Sequence, residues 1–191
     1  MNFKPIDLSP GWTPPWTPFA VLPREERTKP PRTIETKEGI GDRLRAAAFA
    51  EIQAYYAFLW GAARFEDAPE ALRVNWRGLA LAEERHLGWL LRRMDELGIE
   101  VTERAVSDWL WVSLTNCQSA REFAVFMASA EERGRRAGER FAQALAKIDP
   151  TSAAIFGKIA EEEVEHIRLA EKFFPEETQK RVLANATPYG A

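Results

Sequence analysis

The chain has 191 residues, of which 46% are hydrophobic and 29% charged, and a formal net charge of −3 at pH 7. That length suits one domain with its own core, and the mildly acidic balance gives no general electrostatic reason to bind nucleic acid, a local basic patch aside. Cys117 is the single cysteine, which excludes a disulfide framework or a cysteine-rich zinc or rubredoxin-type site within one chain.

Residues 1–38 are expected to form an extended arm. Eight of the twelve prolines fall within residues 1–35, together with Trp12 and Trp16. Such a composition cannot sustain helix and favours polyproline-like chain. Large aromatics are seldom left in water, so the tryptophans predict an ordered arm lying across the body or a neighbouring subunit. No signal-peptide pattern is present and no apolar run approaches the roughly 20 residues that span a bilayer, so the expected location is cytoplasmic.

From Gly39 the pattern acquires a helical period, and residues 39–174 are expected to form a bundle. The first helix is predicted over about 40–63. The second begins with Pro69 in its first turn and ends at Gly98. A third opens at Ser119 with Glu122 three residues on, a capping-box signature, and runs to about Ile148. A fourth follows Asp149-Pro150 and stops before Pro175. A short fifth helix at 176–184 is expected within a C-terminal segment, 175–191. Strand signals are nearly absent, so the fold class is all-α, a four-helix bundle. Twenty residues, "IEVTERAVSDWLWVSLTNCQ", separate the second and third helices. Fully extended they could cover roughly 60 Å, which predicts one long crossover along the bundle, itself partly helical.

Chemistry concentrates around the only two histidines, His86 and His166. Each follows a glutamate by three residues, Glu83 and Glu163, which puts each pair on one helix face. Glu51 and Glu131 precede those glutamates by 32 residues, so the second copy of the pattern is the first displaced by 80. With glutamate at 23 of 191 positions, four specified positions would all be glutamate with a probability of about 2 in 10,000. A lone Glu-x-x-His on a helix is usually a surface pair, but two copies with matched partners reverse those odds.

Helical phase points the same way. Glu51 shares a stripe with Leu44, Ala48, Tyr55 and Phe58; Glu83 and His86 share one with Trp76, Leu79 and Leu90; Glu163 and His166 share one with Phe156, Ile159 and Phe173. Glu131 lies in phase with Met127, Gly134, Gly138 and Phe141, whereas Glu132 is predicted on a solvated face with Arg136 and Glu139. Four carboxylates and two imidazoles buried bare would cost several kcal/mol per charge, in round numbers; two divalent cations would offset the four negative charges. Glu83 and Glu163 are the expected bridges and Glu51 and Glu131 the terminal ligands. His86 and His166 each supply one nitrogen. Oxygen-rich ligation with one imidazole per ion suits iron or manganese. Tyr55, one turn from Glu51, is a candidate hydrogen-bonding neighbour or redox-active phenol, with a core tyrosine the plainer reading. Gly134 and Gly138 could leave room for oxygen or a small substrate, with close helix packing the plainer reading there too.

With these residues in place, the chain resembles ferritin-like proteins, most closely the bacterial ferritin-like family catalogued as domain of unknown function 455. The likeness covers about residues 40–174, through "FAEIQAYY", "LAEERHLGWLLRRMDELG", "EERG" and "SAAIFGKIAEEEVEHIRLAEKFF". It implies a dinuclear carboxylate site with Glu131 as the third-helix ligand. Similar ligand sets occur in bacterioferritin, rubrerythrin, ribonucleotide reductase small subunits and a tRNA-modifying monooxygenase, so the set alone does not define the chemistry.

The expected function is that of an oxidoreductase in which two iron ions per chain, or manganese or a mixed pair, activate oxygen or peroxide to oxidise a small substrate. The expected partners are that substrate, an external electron donor and a second copy of the chain in a homodimer, with no DNA and no membrane. The alternatives are a ferroxidase that handles iron for storage or detoxification, and a metal-containing tRNA-modifying or scaffold protein.

Overall fold

A computed structural model of the chain describes residues 6–184; the first five residues of the expected arm and the tail at 185–191 lie outside them. Among the described residues the protein is all-helical. The elements are α1 (Lys37–Arg64), α2 (Glu70–Glu96), a 3-10 turn (Val101–Glu103), α3 (Trp109–Leu114), α4 (Ala120–Leu145), α5 (Pro150–Phe173) and α6 (Pro175–Ala184). No helix among them is long and apolar enough to cross a membrane.

Local chemistry accounts for the helix ends. The Thr36 side chain accepts a hydrogen bond from the Gly39 amide at 3.0 Å, and this cap starts α1 three residues earlier than periodicity predicts. Pro69 occupies the cap position of α2 rather than its first turn. At the other end Gly98 adopts φ +60°, while its amide reaches Asp95 O and that of Ile99 reaches Met94 O. Those are the two bonds of a Schellman stop, so α2 ends at Glu96 and Gly98 lies just beyond it. Ser119 caps α4 through the Glu122 amide, and the Glu122 carboxylate answers the Gln118 amide at 2.8 Å. Asp149 caps α5 through the Ser152 amide, with Pro150 at the first helical position.

The third long helix stops short of Ile148. The amides of Ile148 and Asp149 both return to Leu145 O, so the chain turns there and α4 ends at Leu145. This evens the two halves of the molecule. From Glu51 to the end of α1 is thirteen residues, as it is from the start of α2 to Glu83; from Glu131 to the end of α4 is fourteen, and from Pro150 to Glu163 thirteen. At 1.5 Å per residue each glutamate stands about 20 Å from its turn, so the side chains of each hairpin return to one level.

The long helices pack as two hairpins, α1 with α2 and α4 with α5, joined through α2–α5 and α1–α4 contacts. The connection from α2 to α4 runs the length of α1. Arg45, near the α1 start, donates to Glu100 O and Val101 O; Gln53, midway, accepts from the Trp111 amide; Asp67, past its end, accepts from the Ala120 amide. Opposite, Arg93 on α2 binds the Asp149 cap of α5 at 2.8 Å. The hairpins are thus tied to each other at both ends.

The proline-rich segment lies on this strap. Val21 and Val106 form an isolated parallel bridge, and Trp12 and Trp16 meet Trp111 edge-on at 5.7 and 5.8 Å. A polar anchor holds the same region. Asp42 receives Arg32 at 2.7 Å, Arg45 at 3.2 Å and Arg104 at 2.6 Å. Burial alone would raise the Asp42 carboxyl, but Arg32 and Arg104 hold it well below the usual carboxylate range.

Candidate metal centre

All six residues singled out by spacing converge between the four long helices. Glu83 and His86 are fully buried, and Glu51, Glu131, Glu163 and His166 are between 2% and 8% exposed. Their donor atoms fall into two groups that could each hold a metal ion: Glu51, Glu83, His86 and Glu163, and Glu83, Glu131, Glu163 and His166. Within each group one atom per residue lies within 4.8 Å of all the others. Glu83 and Glu163 belong to both groups, which puts them between the two imidazoles; the rings lie 5.9 Å apart, with their planes inclined by 20°.

The distances describe convergence on shared space rather than hydrogen bonding. His86 Nδ1 is 3.4 Å from Glu51 Oε2, 3.6 Å from Glu83 Oε2 and 3.5 Å from Glu163 Oε1. His166 Nδ1 is 2.9 Å from Glu83 Oε1 and 3.1 Å from Glu163 Oε2. Yet both Nδ1 atoms, both Glu83 oxygens, Glu131 Oε1 and Glu163 Oε2 are buried without an aligned hydrogen-bond partner. Buried polar atoms are ordinarily paired. Six orphans aimed at one interior space are what a cation-binding set requires, because metal ligands present lone pairs rather than protons.

Electrostatics carry the same mark. Burial, together with the neighbouring Glu83 charge, raises the Glu51 carboxyl well above its usual range, and burial with the Glu163 and Glu83 charges does the same to Glu131. Burial opposes ionisation of Glu83 as well, but His166 and His86 hold its carboxyl below the usual range. Glu163 feels burial and the Glu83 charge, and the two histidines still leave it lowered. The imidazoles go the other way. Burial alone would lower them, but Glu163, Glu51 and Glu83 push His86 up to about 12, and Glu163 and Glu83 push His166 up to about 10. The clustered carboxylates thus favour positive charge on the imidazoles at this point.

Glu162 belongs to the site and was not picked out by spacing. Its Oε2 lies 3.0 Å from His86 Nε2 and 2.5 Å from the Arg85 guanidinium. Burial would raise this carboxyl, but His86 and Arg85 lower it to about 2. A carboxylate there accepts the Nε2 proton and leaves Nδ1 to face the three carboxylates inside.

Other expectations divide. Glu131 enters the donor groups and Glu132 does not. Glu132 is not on a solvated face, however: it is 4% exposed, because Arg135 and Arg136 fold back onto it at 2.7 and 2.5 Å and cover it. Tyr55 is buried with its ring edge-on to Tyr56 at 5.1 Å. Gly138 packs closely, since a Cβ there would lie 3.1 Å from Phe156 O, whereas one at Gly134 would meet nothing within 4 Å.

Gly134 instead borders a cleft of about 300 Å³ between α1 and α4. Alanines from both helices form its walls, and Glu51, Glu131 and Glu163 are among the residues that line it. Three of the six converging side chains are therefore reached from this side of the molecule.

Comparison with known proteins yields no match among curated proteins and none among solved structures. A family model does match, over residues 7–190, a span that takes in the proline-rich segment as well as the helices. The chain belongs to that family, described as a protein of unknown function (DUF455).

Proposed function

We propose that the chain is a dinuclear metal protein of the ferritin-like four-helix type, acting as an oxidoreductase on a small substrate. The observation that supports this reading is the set of six buried donor atoms, on five glutamate and histidine side chains, that face one interior space without hydrogen-bond partners. The donor set fits two divalent cations: four carboxylates offset their charge, and each ion has one imidazole. Iron is the favoured metal, with manganese or a mixed pair as the alternative. When bound, such a pair supplies the electrons and Lewis acidity that oxygen or peroxide activation needs.

The residues of the chain have separable tasks in this reading. Glu83 and Glu163 would help to hold both ions, because both belong to the two donor groups. Glu51 completes the His86 side and Glu131 the His166 side. Glu162 orients the His86 ring through Nε2. Tyr55 is the nearest phenol along α1, one turn beyond Glu51. A second copy of the chain and a separate electron donor complete the proposal, since a lone cysteine cannot build a rubredoxin-type centre.

Elemental analysis of protein purified without chelator tests the reading, together with absorbance of the iron-loaded, reduced protein on exposure to oxygen. About two ions per chain, in keeping with the ligand count, and an oxygen-dependent spectral change are expected. Iron accumulating in the hundreds per particle would favour storage instead. No bound metal after reconstitution would overturn the proposal.

A further inference from the structure

The cleft between α1 and α4 differs from the rest of the surface in what lines it. Ala50 on α1 and Gly134 and Ala137 on α4 contribute to the lining, no basic side chain does, and Glu51, Glu131 and Glu163 sit among these small residues. Gly134 leaves open space, while Gly138, one turn further along α4, is closed by Phe156 O at 3.1 Å from where a Cβ would stand. The cleft therefore runs along α4 from Gly134 to Phe141, with spare room at the Gly134 turn and close packing at Gly138. Small residues alone would not mark a ligand site. Here Glu131 Oε1 and Glu163 Oε2, on side chains more than nine-tenths buried, are also left without hydrogen-bond partners.

We infer that this cleft binds an uncharged, apolar molecule of about ten carbon atoms, such as a fused two-ring aromatic or a medium-length aliphatic chain, and holds it against the Glu51, Glu131 and Glu163 carboxylates. Size follows from volume. The cleft has about 300 Å³, the lower end of ordinary ligand pockets and about twice the volume of an apolar cavity that accepts benzene. Neutrality follows from the walls, which offer an anion no cation and a polar group few partners. It also rests on the dinuclear metal reading, in which the bound ions offset the carboxylates and leave nothing to attract an organic cation. An apolar ligand gains from such walls by leaving water, at no cost in unpaired polar groups.

Naphthalene is the probe and 2-naphthoate its charged control. Both are titrated into the full chain supplied with zinc, with alanine methyl groups followed by NMR and zinc counted separately by elemental analysis. Naphthalene is expected to shift the methyls of Ala50 and Ala137, and naphthoate to leave them in place at equal concentration. Gly134→Leu fills the open turn, and Ala50→Leu does so from the facing helix; each is expected to weaken naphthalene binding at least tenfold, in the manner of a filled pocket, while zinc content stays unchanged. Equal or tighter binding of naphthoate would overturn the inference, as would unshifted methyls at the solubility limit of naphthalene or wild-type affinity in both leucine variants. Naphthalene binding without zinc uptake would sustain the cleft as an apolar site and remove the metal reading, so the two fail separately.

Discussion

Glu162 holds His86 from behind: its Oε2 lies 3.0 Å from His86 Nε2, on the side of the ring away from Glu51, Glu83 and Glu163. A partner in that place fixes ring orientation and tautomer, and its loss typically weakens metal binding by about 10- to 100-fold. Glu162→Ala is expected to show that loss in a competition titration against a coloured chelator. Glu162→Gln should recover part of it, because the amide oxygen still accepts the Nε2 proton. Wild-type affinity in the alanine variant would contradict this role.

Two adjacent glutamates on α4 should respond oppositely. Glu131→Ala removes a buried donor and is expected to lower metal stoichiometry. Glu132→Ala should keep full stoichiometry but lose about 1 kcal/mol of stability, since Arg135 and Arg136 lose their shared partner and turn to solvent. Elemental analysis and urea denaturation of the two variants separate the effects.

Metal affinity should rise with pH. In the metal-free chain His86 and His166 are pushed up to about 12 and about 10, and Glu51 and Glu131 are also raised. Both imidazoles tend to carry protons at neutral pH, and a cation must displace them. Each displaced proton steepens the dependence by about tenfold per pH unit. Calorimetry in buffers of different ionisation enthalpy should detect proton release on binding, and zinc should bind more tightly at pH 8 than at pH 6.

The Asp42 anchor carries the opposite pH sign for stability. Its carboxyl is lowered in the folded chain, so its contribution is present above the ordinary value of 3.8 and is lost as pH falls through the lowered one. Asp42→Ala is expected to cost about 3 kcal/mol at pH 7, because Arg45, 2% exposed, loses a buried partner. The gap between wild type and variant should shrink as the solution is acidified below that ordinary value, as read by urea denaturation at both ends of the range.

The two glycines on α4 should part company. Gly134→Ala meets open space in mid-helix and should stabilise by about 0.5 to 1 kcal/mol, raising the melting temperature by about 2 °C. Gly138→Ala presses on Phe156 O and the Ala160 methyl and should destabilise by about 1 to 3 kcal/mol. Thermal scans of both variants check the contrast.

The six converging residues could be read from the chain because each lies in phase with apolar neighbours on its own helix and the whole pattern occurs twice. Helix starts at Ser119 and Asp149 were legible for the same local reason: a cap and its partner are three residues apart. Glu162 was not. It sits within three successive glutamates, and only the relative rotation of α2 and α5 brings it to His86, a relation between helices that periodicity within either cannot carry. Glu132 lies elsewhere than expected because a face shared with Arg136 and Glu139 reads as wet surface, whereas Arg135 and Arg136 lie back over the carboxylate and shield it. The Val21–Val106 bridge joins segments far apart in the chain, and no local pattern announces it. Sequence offered room and close packing for both Gly134 and Gly138; the neighbouring helix assigns one to each.

Each donor group takes three residues from one hairpin and borrows its fourth from the other: Glu163 joins Glu51, Glu83 and His86, and Glu83 joins Glu131, Glu163 and His166. Each hairpin is made of contacts near in sequence and can form early and locally, but neither contains a complete four-donor set. The docking of the halves is then the event that creates both sets at once. Stripping the ions from the finished protein should loosen the seam between the hairpins before it frays either helical pair, a sequence of opening that amide exchange can follow helix by helix.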